Sequence, residues 1–204
     1  LALRHIAVAW TAALALSCWS MEAQDTGGKV SHRVGLDVRG AWLTPGNKFF
    51  RGENERGTRL NKSGSMHLQY SFTFPSGSRF GSLYPTAYQG AGISWNTFFD
   101  KSEIGVPAAI YVFQGAQIAR LGDNLSLDYE WNFGASFGWH PHNEANNSWN
   151  TVVGSRINAY INASFMLSWH PVPELTISGG VDVSHFSNGN TKYPNAGVNT
   201  LGAR

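Results

Sequence analysis

Three short constellations in the chain carry residue types capable of covalent or metal chemistry. The first is Ser184-His185-Phe186-Ser187-Asn188, in which an imidazole and a hydroxyl stand two residues apart. In an extended chain, residues i and i+2 share a face. His185 could therefore take the proton of the Ser187 hydroxyl and turn it into a nucleophile. The second is Gly134-Ala135-Ser136-Phe137-Gly138, which matches GxSxG. That pattern exposes its serine only on a sharp turn between a strand and a helix. Here it lies within a regular strand pattern, with Ser136 on the polar face, so it is read as structural. The third is His140-Pro141-His142 with Glu144 nearby. No further ligand follows at a typical spacing, and the proline marks the start of a loop, so a solvated loop is read there rather than a metal site. The chain has no GxxxxGK[ST] or GxGxxG loop and no paired CxxC, which removes the nucleotide and zinc-ribbon classes.

The elements that must position these residues follow from a period of two. From Leu125 to Trp139 the odd positions read Leu, Leu, Tyr, Trp, Phe, Ala, Phe, Trp, while the even ones read Ser, Asp, Glu, Asn, Gly, Ser, Gly. Such alternation is a strand with one apolar and one polar face. Ile157–Trp169, Met66–Phe74 and Val34–Trp42 repeat it, and weaker versions run over Tyr88–Phe99, Ala108–Arg120, Leu175–Ser187 and Gly197–Arg204. That is eight strands, most of them longer than the usual five or six residues of a globular sheet and suited to tilted membrane strands of about 9–11. The expected fold is all-β: an eight-stranded antiparallel transmembrane β-barrel. Trp42, Phe74, Trp139 and Trp169 at strand ends are expected to form interfacial girdles. A soluble barrel of lipocalin type, apolar inside and polar outside, has the same periodicity. The low charged fraction of 14% against about 25% for a typical soluble domain, together with 8 Trp, 7 Tyr and 12 Phe, favours the membrane version.

In the seventh strand the apolar set Leu175, Ile177, Val181 and Val183 continues by twos to His185 and Ser187. Two polar side chains thus end a lipid-facing stripe, where polar groups are costly and tend to be functional. With both termini on the periplasmic side, the odd connections are extracellular: about Leu43–Ser65, Asp100–Ile104, His140–Ser155 and Asn188–Ala196. The third is short and breaks the expected trend toward long outer loops.

Arg4 and His5 precede an apolar run from Ile6 to Leu16 and then small residues, the order of an export signal and too short to span a bilayer. Residues 1–23 are read as a signal peptide cleaved after Ala23, and 24–204 as one barrel domain. A lipoprotein reading on Cys18 is disfavoured by Ala15 where that motif usually has Leu. Cys18 is the only cysteine, so no disulfide framework is expected. A net charge of +2 argues against a nucleic-acid partner. The last strand stops at Arg204 after about eight residues, so the barrel is expected to be short there, with an unsatisfied edge.

His185-Phe186-Ser187-Asn188, followed by Pro194-Asn195-Ala196-Gly197-Val198-Asn199, resembles the signature of the lipid A 3-O-deacylase (PagL) family. The specific match covers about twenty residues; the remainder agrees in architecture. The resemblance implies an eight-stranded outer-membrane barrel that hydrolyses an acyl ester of lipopolysaccharide, with Ser187 as nucleophile and His185 as general base. It implies that the Asn188 backbone N–H and Asn195 hold the oxyanion. The acid that orients the histidine in the family's best-studied member falls at Asn199, whose carbonyl oxygen can accept the imidazole N–H but brings no charge. If Ser187 lies opposite Gly197, His185 lies opposite Asn199 on the same face, about 5 Å away. No metal or cofactor is required. The expected partners are lipopolysaccharide and the outer membrane, and a homodimer is left open. The competing readings are a non-catalytic outer-membrane barrel acting through loops 43–65 and 140–155 in adhesion, anchoring or lipid binding, and a soluble lipid carrier.

Overall fold

A computed structural model describes residues 18–22, as backbone, and residues 28–204. The segment read as a signal peptide therefore lies mostly outside the described residues. Within it, Cys18–Glu22 form a short strand, β1. Eight further strands follow: β2 (Ser31–Leu43), β3 (Lys62–Thr73), β4 (Tyr88–Thr97), β5 (Gly105–Arg120), β6 (Leu125–Trp139), β7 (Ile157–Val172), β8 (Leu175–Ser187) and β9 (Val198–Ala203). Each pairs antiparallel with the next, and β9 returns to pair with β2, so the sheet is a closed ring.

The closure corrects the expectation of an open edge. β9 fills the gap between β2 and β8 only at one end, where Thr200–Ala203 pair with Gly40–Leu43 and Val198–Ala203 with Val181–Phe186. Arg204 extends this ladder through two backbone hydrogen bonds to Gly180. Below it, β1 takes the same slot, with Trp19 opposite both Leu36 and Ile177. The backbone groups of β2 and β8 are thereby satisfied along both halves, which a membrane-embedded edge demands.

The faces are decided by exposure. Ser126, Asp128, Glu130 and Asn132 of β6 are buried, while Leu125, Trp131, Phe133 and Phe137 are exposed. The same holds in β7, where Ile157, Ile161, Phe165, Leu167 and Trp169 face outward and Asn158, Asn162, Ser164 and Ser168 inward. An apolar belt around the whole ring far exceeds any patch that a soluble monomer exposes. The polar face points in and the apolar face out, so the lipocalin-type arrangement is excluded.

The lumen is filled in tiers. Near the long loops, Tyr111, Tyr160, Phe186, Trp139 and Phe98 form an aromatic plug, with centroid separations of 5.1 Å for Tyr160–Phe186 and 5.2 Å for Trp139–Phe186. Below it lies a charged layer in which Asp37 pairs with Arg39 at 2.7 Å and with Arg204 at 2.9 Å. Arg204 also meets Glu130 at 3.0 Å, and Arg39 meets Asp182 at 3.4 Å. Below that, a polar cavity of about 220 Å³ opens toward the other end, lined by Arg33, Gln69, Asp128, Glu130 and His170 among others.

Two details depart from the pattern read along the chain. Trp139 was expected on the outer girdle but is 2% exposed, because Gly138 adopts φ +93° opposite a register shift between Gly105 and Ala108. This bulge turns the following side chain inward, where the Trp139 indole N–H donates to Ser136 Oγ at 2.9 Å. Phe74 is only half-exposed and packs edge-on against Phe72 and Phe80. Trp42 and Trp169 stand outside, each 50% exposed. At the end opposite the long loops, connection 74–87 is long too and carries a short helix, α1 (Arg79–Leu83), capped by Ser78 Oγ accepting from the Gly81 N–H.

The long loops 44–61, 98–104, 140–156 and 188–197 form a cap whose buried side chains continue the aromatic plug. Phe49, Phe50, Leu60, Ile104, Val152 and Val153 are all buried there. Their polar side chains are used mostly on each other's backbone: Asn54 Nδ2 donates to the Phe49 and Thr58 carbonyls, and Asn150 Nδ2 to those of Glu103 and His140.

Candidate active site

β8 ends on the residues of interest. Its outward set runs Ile177, Val181, Val183, His185, Ser187, and the last two are half-buried. What turns them outward is Phe186 between them, 3% exposed and held in the aromatic plug. Because successive side chains alternate, anchoring Phe186 in the lumen commits both neighbours to the outer wall. Immediately beyond Ser187 the chain bends sharply, with Gly189 at φ +64° and Asn190 at φ +62°. That bend is pinned by Asn188 Nδ2 donating to the Lys192 carbonyl at 2.7 Å and Thr191 Oγ1 to the Asn188 carbonyl at 2.9 Å.

The register between β8 and β9 sets His185 opposite Asn199. His185 Nε2 lies 2.8 Å from Ser187 Oγ, and His185 Nδ1 lies 2.6 Å from Asn199 Oδ1. An amide oxygen only accepts, so the Asn199 contact puts the imidazole proton on Nδ1. Nε2 is then the bare acceptor facing the Ser187 O–H. This is the tautomer a general base needs.

Gly197 makes room for that ring. It sits at φ +72°, and a Cβ there would lie 3.2 Å from His185 Cε1 and 3.1 Å from the Phe186 carbonyl oxygen. The chain alone placed Gly197 at the start of the last strand, opposite Ser187, without this role, and Phe186 only within the motif.

The two asparagines expected to hold an oxyanion meet each other: the Asn188 N–H donates to Asn195 Oδ1 at 3.2 Å, and Asn195 Nδ2 donates to Asn190 Oδ1 at 3.0 Å. Asn188 follows Ser187 in the chain and carries Asn195 with it, its own N–H committed to a long hydrogen bond.

The other constellations are spent structurally. Ser136 is fully buried in mid-strand, donating to the Asn158 carbonyl at 3.0 Å. His140 Nδ1 lies 2.9 Å from the Ser102 carbonyl oxygen and His142 Nδ1 3.1 Å from that of Asn150, and among the described residues no group of three metal-ligating side chains occurs. A second Ser–His pair went unremarked in the chain. Ser65 Oγ lies 2.9 Å from His67 Nε2, and His67 Nδ1 is 3.0 Å from the Tyr111 hydroxyl. It has the spacing of the outer pair, but His67 is 1% exposed inside the lumen, out of reach of any lipid ester.

A family model described as Lipid A 3-O-deacylase (PagL) matches residues 64–204, which include every residue of the outer site. No curated protein and no solved structure matches the chain.

Proposed function

The chain belongs to the lipid A 3-O-deacylase (PagL) family, an outer-membrane family of hydrolases acting on lipid A, and from that premise we propose that Ser187, His185 and Asn199 are its catalytic machinery. The observation that carries the proposal is the unbroken relay from Asn199 Oδ1 through the imidazole to Ser187 Oγ, at 2.6 and 2.8 Å, on the apolar outer wall where an acyl chain can lie.

In this reading Ser187 Oγ attacks the carbonyl carbon of the ester joining an acyl chain to the 3-position of lipid A, and His185 Nε2 takes its proton. The tetrahedral intermediate collapses, the sugar oxygen leaves with the proton from His185, and the acyl group stays on Ser187. Water then attacks the acyl-enzyme with His185 again as base, releasing a free fatty acid. The developing oxyanion competes for the Asn188 N–H now held by Asn195 Oδ1, and Asn195 Nδ2 is the second donor in reach. No step calls for a metal. The site faces the outer leaflet, at the extracellular rim.

The test is the lipid A mass spectrum of cells expressing the full chain. Loss of one ester-linked acyl chain is expected, abolished by Ser187→Ala and retained by Ser136→Ala, which removes the hydroxyl of the buried GxSxG serine. A Ser187→Ala spectrum identical to that of the parent protein would overturn the assignment.

A further inference from the structure

Beside the outer site the loop end carries a cleft of about 730 Å³, lined by Ser102, Trp139, His140, His142, Asn146, Arg156 and Lys192 among others. Its charge is one-sided. Lys192 is the only charged residue in 188–197, and Arg156 stands at the start of β7. Both are exposed, and among the described residues neither makes an ion pair. The one acid of the 140–156 loop, Glu144, is turned to His142 at 3.1 Å. Lys48 and Arg56 of the other loops each face a carboxylate, and Arg51, Arg59 and Lys101 make no ion pair among the described residues, but Arg156 and Lys192 share one cleft whose lining residues include no acid, and that sharing calls for an explanation.

Their position relative to Ser187 supplies one. Ala159 of β7 is the direct partner of Ser187. Arg156 is three residues farther along, about 10 Å at strand rise. Lys192 belongs to the loop that Asn188, the residue after Ser187, holds through the Lys192 carbonyl. The same loop is locked onto the β7 entry by the Gly197 N–H donating to the Val152 carbonyl. Arg156 thus lies about 10 Å along the strand direction from the level of the nucleophile, toward the loops, and Lys192 lies in the loop that follows Ser187.

We propose that Arg156 and Lys192 bind a phosphate group on the sugar headgroup of lipid A. A guanidinium and an ammonium lining one cleft can meet a phosphate's oxygens through charge-assisted hydrogen bonds. With the phosphate held there and the acyl chains along the Ile161–Val183 wall, the headgroup is tethered at two points and one ester is presented to Ser187. The inference rests on the lipid A hydrolase reading and adds the feature of the substrate that selects it.

The experiment uses the full chain in detergent with two substrates, phosphorylated lipid A and the same lipid A enzymatically stripped of phosphate. The parent protein is expected to show a KM about tenfold lower for the phosphorylated form. Arg156→Gln combined with Lys192→Gln should collapse that preference to less than twofold, while Arg120→Gln, at the opposite end of the barrel, leaves it in place. A double variant that keeps the full preference overturns the assignment. If neither form is hydrolysed, the hydrolase reading fails on its own. The phosphate assignment is then read from binding of both forms to the Ser187→Ala protein by tryptophan fluorescence. Tighter binding of the phosphorylated form, lost in the double variant, supports it, and equal binding overturns it. Inorganic phosphate at equal phosphorus concentration should not displace lipid A; displacement would assign the cleft to free phosphate and refute the headgroup site.

Discussion

Asn199 Oδ1 accepts from His185 Nδ1 at 2.6 Å across the β8–β9 pair, at the position where the resemblance read from the sequence implied a carboxylate. The amide reproduces the geometry of that contact and omits its charge. In the proposed reaction the imidazole becomes positive as it takes up the Ser187 proton, and a neutral partner stabilises that cation only through its dipole.

Asn199→Asp should therefore raise kcat by about tenfold, because the same oxygen position then carries charge. Asn199→Leu removes the acceptor and should lower kcat by about ten- to a hundredfold. Initial rates of fatty-acid release, measured on folded protein, separate the two. An aspartate variant slower than the leucine variant would contradict an orienting role.

Gly197→Ala tests how tightly the ring is held. The new Cβ would sit 3.2 Å from His185 Cε1, on a backbone at φ +72° that disfavours a side chain, at a strain cost of about 1–2 kcal/mol. A displaced imidazole should reduce kcat by about ten- to a hundredfold in a barrel that still shows folded mobility on an unheated gel. Full activity would mean that the ring has slack.

Glu103 sits where three loops meet: its carboxylate accepts the Glu55 N–H, and its own N–H donates to Asp100. Its carboxyl is 1% exposed, and burial pushes its pKa up, aided by the charge of Asp100 and opposed by the Glu55 N–H. A carboxyl with a raised folded-state pKa favours the fold while protonated. That contribution is full at pH below the ordinary glutamate value and is lost as pH rises through the raised one. Glu103→Gln should leave the melting temperature almost unchanged in acid and raise it at neutral pH, flattening the profile. A variant whose deficit grows with pH would reverse the sign and refute the account.

Asp37 lies between two guanidiniums, at 2.7 Å from Arg39 and 2.9 Å from Arg204. Asp37→Ala leaves both cations in the lumen with less compensation, and should destabilise the barrel by about 3–5 kcal/mol in denaturant titrations from detergent. A loss below 1 kcal/mol would show that Glu130 and Asp182 alone can neutralise the layer.

The alternation from Leu125 to Trp169 was enough to place strands and count them, because a period of two is a local property of the backbone and needs no partner to be visible. The Ser187 and His185 pair was legible for the same reason: two polar residues continuing an apolar stripe are anomalous in the sequence alone. Which face turned inward was not local. It depends on whether Asp37, Arg39, Glu130, Asp182 and Arg204 can neutralise one another across the lumen, and these side chains come from β2, β6, β8 and the chain beyond β9. The inward turn of Trp139 was hidden likewise, since a single left-handed glycine shifts the phase of a strand without disturbing the pattern of residue types. Spacing could not tell Ser187–His185 from Ser65–His67, because two residues apart means the same thing on either face. The tertiary structure decided between them by putting Phe186 and His67 inside and His185 outside, within reach of Asn199 and with Gly197 leaving space for its ring.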